Sequence, residues 1–378
     1  MTDDLSFNNN LRVGKRKLHV QTTFLSDARR ITSSIFDGGQ LIDKREMIVD
    51  EGIASKQVEK EVRNFHQWVV SDIEVLFSIS KKVQESRHVA SIKKLGQLFF
   101  EKGFYDEAIQ QFNFALKVDP GAENCHYSIG QAFYKKGAYA AALEKLLVAA
   151  EKKPEYPDLH FLLAKTHWEM GHHVLAIREL EHAVALNEVY NQAFFTLALY
   201  LLKTTITDPK NPELLPPIER IKQAKKYFQK ALRLSPDYDR DLMASGFEKL
   251  EERDRIGEAI QDFENADIEQ TRLHKNIFTD SEFYLKFMFA GLDKDGKSLA
   301  HYIRILEKTI STHPNYADLH KSLGSAYLIE SWQYFIKAIE EFRQAVKINP
   351  DFEKAQKGLR LLENDSRGFL ILLRSILK

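Results

Sequence analysis

Small and large apolar residues recur with a period of 34 along residues 89–190. Each period carries a large residue, a small residue and a third bulky residue, and then a small–large–small triplet. The three sets are Leu95, Gly96, Phe99, Ala108, Phe112 and Ala115; Ile129, Gly130, Phe133, Ala142, Leu146 and Ala149; and Leu163, Ala164, His167, Ala176, Leu180 and Ala183. Small residues let two helices approach closely, and large residues fill the space between them. The spacing therefore predicts three successive pairs of antiparallel helices.

Turn residues divide each period at the points where a helical hairpin needs them. Gly103, Gly137 and Gly171 each follow the first predicted helix, where a residue in the left-handed conformation ends a helix. Pro120 and Pro154 follow the second predicted helix and block its continuation. A fixed period of this length is typical of helical hairpins stacked into a solenoid.

The order and spacing of these residues resemble the tetratricopeptide-repeat (TPR) family. The resemblance implies a mainly α fold, a right-handed superhelix of helical hairpins in which the first helix of each hairpin lines a concave groove. It also implies a non-enzymatic scaffold or adaptor that binds another protein, with a peptide or an amphipathic helix in the groove.

The pattern changes after residue 190. A fourth repeat completes the stretch 89–236, and an insertion at 204–219 separates its two helices. A further repeat spans 317–350, with extra residues at a turn near Ser331–Tyr334. Residues 237–316 keep only parts of the pattern and predict degenerate hairpins, and 351–378 predict the capping helices that a solenoid needs at its open end.

The N-terminal residues follow a different, two-residue alternation. Residues 1–14 are predicted to be a disordered tail, and 15–52 a three-stranded antiparallel β meander. The alternating positions include Leu18, Val20, Thr22, Phe24, Ile31, Ser33, Ile35, Ile42 and Ile48. Asp37-Gly38-Gly39 is a hairpin signal, and 53–86 predict a long linking helix. The meander either closes the first turn of the solenoid or serves as a docking or dimerisation module through an exposed strand edge.

The resemblance also implies which side chains face the groove. These predicted partner-binding residues are Lys93, Gln97, Phe100, Tyr127, Gln131, Tyr134, Lys135, Phe161, Lys165, Trp168, Phe195 and Lys203. Aromatic anchors among polar groups are typical of an interface core. For Tyr127, Tyr134 and Trp168, packing between repeats is the alternative to a groove position.

Composition narrows the class of partner. The chain of 378 residues has 54 basic and 54 acidic side chains, so no net field draws it to nucleic acid or to an anionic membrane. The single cysteine, Cys125, cannot form an intrachain disulfide, which agrees with a cytoplasmic location. No apolar run approaches the roughly 20 residues that span a bilayer. We expect protein partners and no nucleic acid.

Candidate chemistry is sparse. Residues 291–298 match the phosphate-loop string, but Asp293 and Asp295 would oppose a phosphate, so nucleotide binding is the less favoured alternative. The histidines of the repeats are too widely spaced to share a metal. We expect no cofactor, no metal site and no catalytic constellation. A second alternative is a membrane-peripheral assembly factor, because the last eleven residues, GFLILLRSILK, could insert an apolar face into a membrane interface.

Overall fold

The structure is a computed structural model that describes residues 5–49, 55–235, 238–273 and 317–377, with scattered positions between 285 and 311. The chain divides into two compact units, one formed by residues 1–104 with 278–378 and the other by residues 105–277. The mainly α fold with an N-terminal antiparallel sheet confirms the predicted fold class.

The first unit begins with a four-stranded sheet, one strand more than predicted. Its strands are β1 (Ser6–Val13), β2 (Arg16–Leu25), β3 (Arg30–Asp37) and β4 (Gln40–Ile48), in the order β1-β2-β3-β4 and antiparallel throughout. The disordered tail predicted at 1–14 is therefore wrong for β1. Polar Asn8–Asn10 conceals the alternation of this strand, whose Leu11 and Val13 are buried.

The predicted hairpin turn after β3 is confirmed. Asp37 pairs with Gln40, and the two glycines between them have φ values of +57° and +87°. A two-residue type I′ turn, with both central residues in the left-handed region, matches the twist of the flanking strands. This is a position where glycine is needed.

The long helix α1 (Ser55–Glu85) covers one face of the sheet, as its apolar stripe predicts. Val62, Phe65, Val69 and Ile73 on this helix are at most 2% exposed, and the helix contacts β1, β2 and β3. A small sheet gains its stability from such packing. The helix α2 (Val89–Glu101) follows in the same unit.

A buried ion cluster ties these elements together. The side chain of Asp72 on α1 is fully buried. Its carboxylate forms ion pairs with Arg45 Nη1 of β4 at 2.7 Å and with Lys102 Nζ at 3.0 Å, and it also pairs with Lys286. A carboxylate in this position requires compensating cations. Sequence patterns gave no sign of the cluster, because its members are far apart in the chain.

The second unit consists of stacked helical hairpins, as predicted for residues 105–235. Its helices are α3 (Tyr105–Val118), α4 (Cys125–Lys135), α5 (Tyr139–Lys152), α6 (Pro157–Glu169), α7 (His173–Leu186), α8 (Asn191–Thr207) and α9 (Pro217–Leu234). Helices α4 and α5, α6 and α7, and α8 and α9 pack pairwise. The small–large–small triplets are buried in these pairs, for example Ala176, Leu180 and Ala183 at 0% exposure.

The predicted insertion at 204–219 is partly helical. Helix α8 continues to Thr207, so the connecting loop covers only 208–216. Arg220, which is 1% exposed, donates hydrogen bonds from Nη2 to the carbonyl oxygens of Asp208 at 3.0 Å and Pro209 at 3.3 Å. A buried side chain of α9 thus fixes the start of the loop.

Two helices complete the second unit, α10 (Arg240–Lys249) and α11 (Ile256–Leu273). Asp239 caps α10 by accepting hydrogen bonds from the backbone N–H groups of Asp241 and Leu242. Helix α11 packs on α10 and also on α8, and Phe263 of α11 stacks on Phe228 of α9 with ring centroids 4.0 Å apart.

The last two described helices belong to the first unit and differ from the prediction. Residues 317–350 were predicted as a hairpin, but one helix, α12 (Ala317–Ile348), runs through the expected turn. A second helix, α13 (Glu353–Leu377), takes the place of the capping helices and packs on α12. Trp332 of α12 and Phe369 of α13 stack with centroids 5.3 Å apart. The degenerate hairpins predicted at 275–313 lie largely outside the described residues.

Candidate partner-binding groove

Helices α4, α6 and α8 of the second unit bring aromatic and lysine side chains onto one surface. The indole of Trp168 on α6 stacks on the ring of Tyr200 on α8, with centroids 3.8 Å apart. The ammonium group of Lys165 on α6 lies 5.5 Å from the ring centroid of Tyr134 on α4. We call this surface the groove row, and its members are Tyr127, Gln131, Tyr134, Lys135, Lys165, Trp168 and Lys203.

Lysine stems and aromatic rings are interleaved along the groove row. Lys165 also lies 5.6 Å from the ring centroid of Phe161, and Lys203 lies 5.9 Å from that of Trp168. Each such contact contributes about 0.5–1 kcal/mol when exposed and more when water is excluded. The rings therefore hold the lysine stems close to the surface of the groove.

The tyrosines of this surface keep their protons at neutral pH. Burial raises the pKa of Tyr134 to about 12, with a further contribution from Glu169. Burial also raises the pKa of Tyr127 and Tyr200. A neutral phenol can donate a hydrogen bond, so these side chains offer both an apolar ring and a polar hydroxyl.

A carboxylate on α6 organises a second group of tyrosines beside the groove row. Burial raises the pKa of Tyr156 and Tyr190, and the nearby Asp158 carboxylate raises the pKa of both phenols further. The ring of Tyr156 also meets that of Tyr127 edge-on, with centroids 5.5 Å apart. This network fixes the orientation of the side chains at the α4 end of the groove row.

Helix α11 supplies acidic groups to the lysines of the groove row. Glu264 Oε1 lies 2.6 Å from Lys203 Nζ. Burial lowers the pKa of Lys165, the neighbouring Lys135 lowers it further, and the nearby carboxylate of Asp267 partly opposes both effects. Lys165 and Lys203 are therefore both attracted by the negative charges of carboxylates on α11.

The structure places the predicted groove residues in three different environments. Lys93, Gln97 and Phe100 lie on α2, which belongs to the first unit. Most of the others lie in the groove row, as described above. Phe161 is 9% exposed, with its ring under the ammonium group of Lys165.

Phe195 differs from its predicted position in the groove. Its side chain is 1% exposed and packs between Phe228, at a centroid distance of 5.0 Å, and Tyr238, at 4.7 Å. Because helix α8 turns this ring towards α9, Phe195 contributes to the core and not to the groove row.

Sequence reasoning missed three residues of this surface. Tyr200 lies between the two predicted positions on α8, Phe195 and Lys203, and the structure identifies it through its stacking on Trp168. Glu264 and Asp267 lie in a stretch whose pattern had decayed. Their spacing of three residues on one helix was the available signal, but nothing in the sequence indicated which surface they face.

Histidines of the second unit surround a small cavity near the α6–α7 turn. The cavity has a volume of about 300 Å³ and is lined by residues 171–175 with Asp208 and Asn211. His173 Nδ1 lies 2.5 Å from Asp208 Oδ2. Among the residues that the structure describes, no group of three His, Cys, Asp or Glu side chains could hold a metal. The histidine–aspartate pair therefore joins the turn to the end of α8.

Two further expectations from the sequence concern other parts of the chain. The phosphate-loop string at 291–298 lies outside the described residues. In the part of the chain that the structure describes, no helix has the length and apolar character needed to cross a bilayer.

Comparisons with solved structures find repeat proteins of low similarity. A MamA crystal structure is 20% identical with a TM-score of 0.35, covering 47% of this chain and 96% of that one. MamA from Desulfovibrio magneticus RS-1 is 19% identical with a TM-score of 0.36, covering 46% and 93%. YrrB, described as a TPR protein with an unusual peptide-binding site, is 18% identical with a TM-score of 0.37, covering 50% and 93%.

Comparison with curated protein sequences gives no significant match. Two family models described as tetratricopeptide repeats do match, one over residues 93–157 and the other over residues 218–238. The matched segments carry the repeated small–large–small triplets, and residues 125–234 form the corresponding helical hairpins α4–α9. The chain therefore carries tetratricopeptide repeats within residues 93–157 and 218–238.

Proposed function

We propose that the protein is a non-enzymatic scaffold that holds a peptide or a helix of another protein in the groove row. The observation that carries the proposal is the interleaving of aromatic rings and lysines on α4, α6 and α8. A stacked array of hairpins is rigid and presents its binding residues on an extended surface. Catalysis would require groups that react, whereas this surface offers anchors and hydrogen-bond donors.

The chemistry of the groove row supports a segment with apolar anchors flanked by polar groups. Aromatic side chains supply most of the binding energy at protein interfaces, and a polar rim excludes water around them. Tyr134 and Trp168 are half-buried, so each has a ring partly available to a partner while its remaining surface is fixed by neighbours.

The test is a comparison of two double variants of the full chain. Tyr134→Ala with Lys135→Ala removes one aromatic group and one charge from the groove row. Lys145→Ala with Leu147→Ala removes one apolar group and one charge from α5, where Leu147 is 49% exposed. Partners are captured from a lysate on the tagged wild-type protein, and their binding to each purified variant is then measured by interferometry.

We expect the groove variant to bind at least tenfold more weakly, since a central aromatic anchor is worth about 2 kcal/mol or more. The α5 variant is expected to bind as the wild type does. Equal binding by the groove variant, with an unchanged circular dichroism spectrum, would show that partners use another surface.

We further propose that the sheet of the first unit docks or dimerises through strand β1. Among the strands that the structure describes, β1 lies at the edge of the sheet and pairs only with β2. The backbone N–H of Phe24 bonds to the carbonyl of Leu5, so by alternation the N–H of Asn8 points away from β2. Such an edge is a template for a further strand.

Proline at Asn8 tests this second proposal, because proline removes the outward N–H without touching the β1–β2 hydrogen bonds. Asn8→Ala keeps the N–H and serves as the control. We expect light scattering to give a dimer for the wild type and Asn8→Ala and a monomer for Asn8→Pro. A monomeric wild type over the whole concentration range would rule out dimerisation through this edge.

A further inference from the structure

Helix α11 places two carboxylates against the lysines of the groove row. Glu264 and Asp267 are three residues apart and therefore lie on one side of the helix. Glu264 forms an ion pair with Lys203 at 2.6 Å, in which the lysine side chain is 28% exposed and the carboxylate 39%. Asp267 interacts electrostatically with Lys165 on the adjacent helix α6.

The opposite side of α11 explains why this helix remains in place. Ala259, Phe263 and Ala266 are fully buried, and the ring of Phe263 stacks on Phe228 and lies against Gly246. The core of the unit thus fixes the axis of α11. The acidic residues of α11 interact with Lys203 of α8 through Glu264 and with Lys165 of α6 through Asp267.

The two lysines are in a partly dehydrated setting. Burial lowers the pKa of Lys165. Burial also raises the pKa of Asp267, and the positive charge of Lys165 lowers it part of the way back. The other charged groups around Lys165 are Lys135 and Glu169. Lys165 and Lys203 are both half-buried beside the acids of α11, while Lys135 at the end of α4 is exposed to solvent.

We propose that the partner segment is acidic, and that Glu264 and Asp267 occupy Lys203 and Lys165 until its carboxylates replace them. This inference rests on the proposed function of the groove row. Helix α11 stays packed during the exchange, and the long lysine side chains turn from its carboxylates to those of the partner. The groove therefore carries its own competitor, which weakens binding of acidic segments, because these segments need the lysines that Glu264 and Asp267 occupy.

The occupancy of the lysines can be measured without any partner. Glu264→Gln with Asp267→Asn removes both carboxylates at nearly constant shape. The matched control is Glu252→Gln with Glu258→Gln, which removes two acids that pair with Arg255 at the start of α11. Each full-length protein is acetylated briefly with an amine-reactive ester, and modification is read by mass spectrometry.

We expect Glu264→Gln with Asp267→Asn to show about threefold or greater acetylation of Lys165 and Lys203 relative to the wild type, because exposed ion pairs restrain lysines by a similar factor. Lys145 should be unchanged in all proteins. Unchanged labelling of Lys165 and Lys203 in Glu264→Gln with Asp267→Asn would show that the two carboxylates do not occupy these lysines.

The acidic preference needs a defined probe. The probe is a fluorescein-labelled synthetic peptide with the sequence of residues 256–273, compared with the same peptide carrying amides at the positions of Glu264 and Asp267. We expect Glu264→Gln with Asp267→Asn to bind the acidic peptide about threefold to tenfold more tightly than the wild-type protein does. The control variant, Glu252→Gln with Glu258→Gln, should bind the acidic peptide as the wild type does. The amide peptide should bind Glu264→Gln with Asp267→Asn no more tightly than it binds the wild type.

The outcomes separate this inference from the proposed function. If both peptides bind every protein equally, or not at all, the acidic preference is wrong. The groove still stands as a binding surface if Tyr134→Ala with Lys135→Ala releases the captured partner. If that variant retains its partner while the acidic peptide responds as expected, the groove is an acidic-segment site that the captured partner does not use.

Discussion

Two segments of the chain carry the same repeat spacing and fold differently. Residues 125–186 form two helical hairpins, α4–α5 and α6–α7, whereas residues 317–348 form the single helix α12. The difference shows that the spacing of small and large residues defines the faces of helices, and that a separate signal decides whether the chain turns back.

That separate signal is the turn glycine. Gly137 and Gly171 have φ values of +74° and +77°, a conformation that costs little for glycine and much for other residues. The expected turn at 331–334 contains Ser, Trp, Gln and Tyr, which have no such freedom. The helix therefore continues, and its aromatic residues stack on α13 instead of ending a hairpin.

The two segments also differ at the close helix crossing. A Cβ atom at Gly130 would lie 2.7 Å from two side-chain carbons of Leu146, whereas a Cβ at Gly324, the equivalent position in α12, would meet nothing within 4 Å. The hairpin requires that Gly130 has no side chain, because a Cβ atom there would collide with Leu146. The single helix has no such requirement at Gly324. Close packing of the two helices thus requires glycine at position 130, whereas the packing around position 324 does not.

The largest expected effect is at this crossing. Gly130→Ala should destabilise the protein by about 1–3 kcal/mol, since Leu146 is fully buried and cannot move aside. Gly324→Ala is expected to stabilise by up to ~1 kcal/mol, because alanine favours a helix. Urea denaturation measures both, and equal effects would remove the distinction between the two segments.

The next effect concerns the turn itself. Gly137→Ala places a side chain in the left-handed region with nothing in contact, so the cost is backbone strain alone, about 1–2 kcal/mol. The thermal midpoint should fall, and Gly137→Asn should recover part of the loss because asparagine tolerates this conformation. A midpoint unchanged by alanine would mean that the turn does not need glycine.

A glycine introduced into α12 tests the continuous helix from the other side. Tyr334 is 62% exposed, so Tyr334→Gly should cost about 0.5–1 kcal/mol of helix stability with little loss of packing. Tyr334→Ala is the control for the lost ring. If glycine were as stable as alanine or more so, residues 331–334 would form a turn after all.

The smallest expected effect is the pH dependence of histidines at one repeat position. His160 Nδ1 lies 2.7 Å from Glu179 Oε2, and this hydrogen bond raises the pKa of His160. Burial lowers the pKa of His126, and Lys152 and Lys145 lower it further. His160 therefore contributes stability below about pH 6.5 that is lost as the pH rises through its raised folded pKa. His126 removes stability as the pH falls below about 6.5.

Glutamine at each histidine separates the two. His160→Gln should lose a few tenths to about 1 kcal/mol at pH 5.5 and less at pH 8. His126→Gln should gain stability relative to the wild type as the pH falls. Unfolding curves at both pH values check the signs, and the same sign for both variants would contradict the assigned environments.

Much of the fold could be predicted from local sequence. The repeat period located α4–α9, the alternation located β2–β4, and the apolar stripe located α1, because each pattern reflects a face that must be buried. Strand β1 escaped prediction, since its asparagine run puts a polar residue, Asn9, on the side of the strand that carries Phe7, Leu11 and Val13. The turn at 331–334 was predicted from the triplets alone, without the glycine that a turn requires.

The candidate site was predicted less completely than the fold. Tyr134, Lys165 and Trp168 followed from the repeat position of each residue. Phe195 shares the repeat position of Tyr127 and Phe161 but faces the core, because α8 is longer than its predecessors and packs against α9 and Tyr238. Repeat position specifies a direction only where successive helices keep the same length and crossing.

The sequence by itself determined the hairpins, their turns and the stripes of residues that each helix must bury, because these depend on contacts between residues close in the chain. Only the tertiary structure decided that α11 lies on α8 with its acids towards Lys165 and Lys203, and that Asp72 gathers cations from three distant segments. Charges attract over several ångströms without any fixed spacing in sequence, so no local pattern records which of them meet.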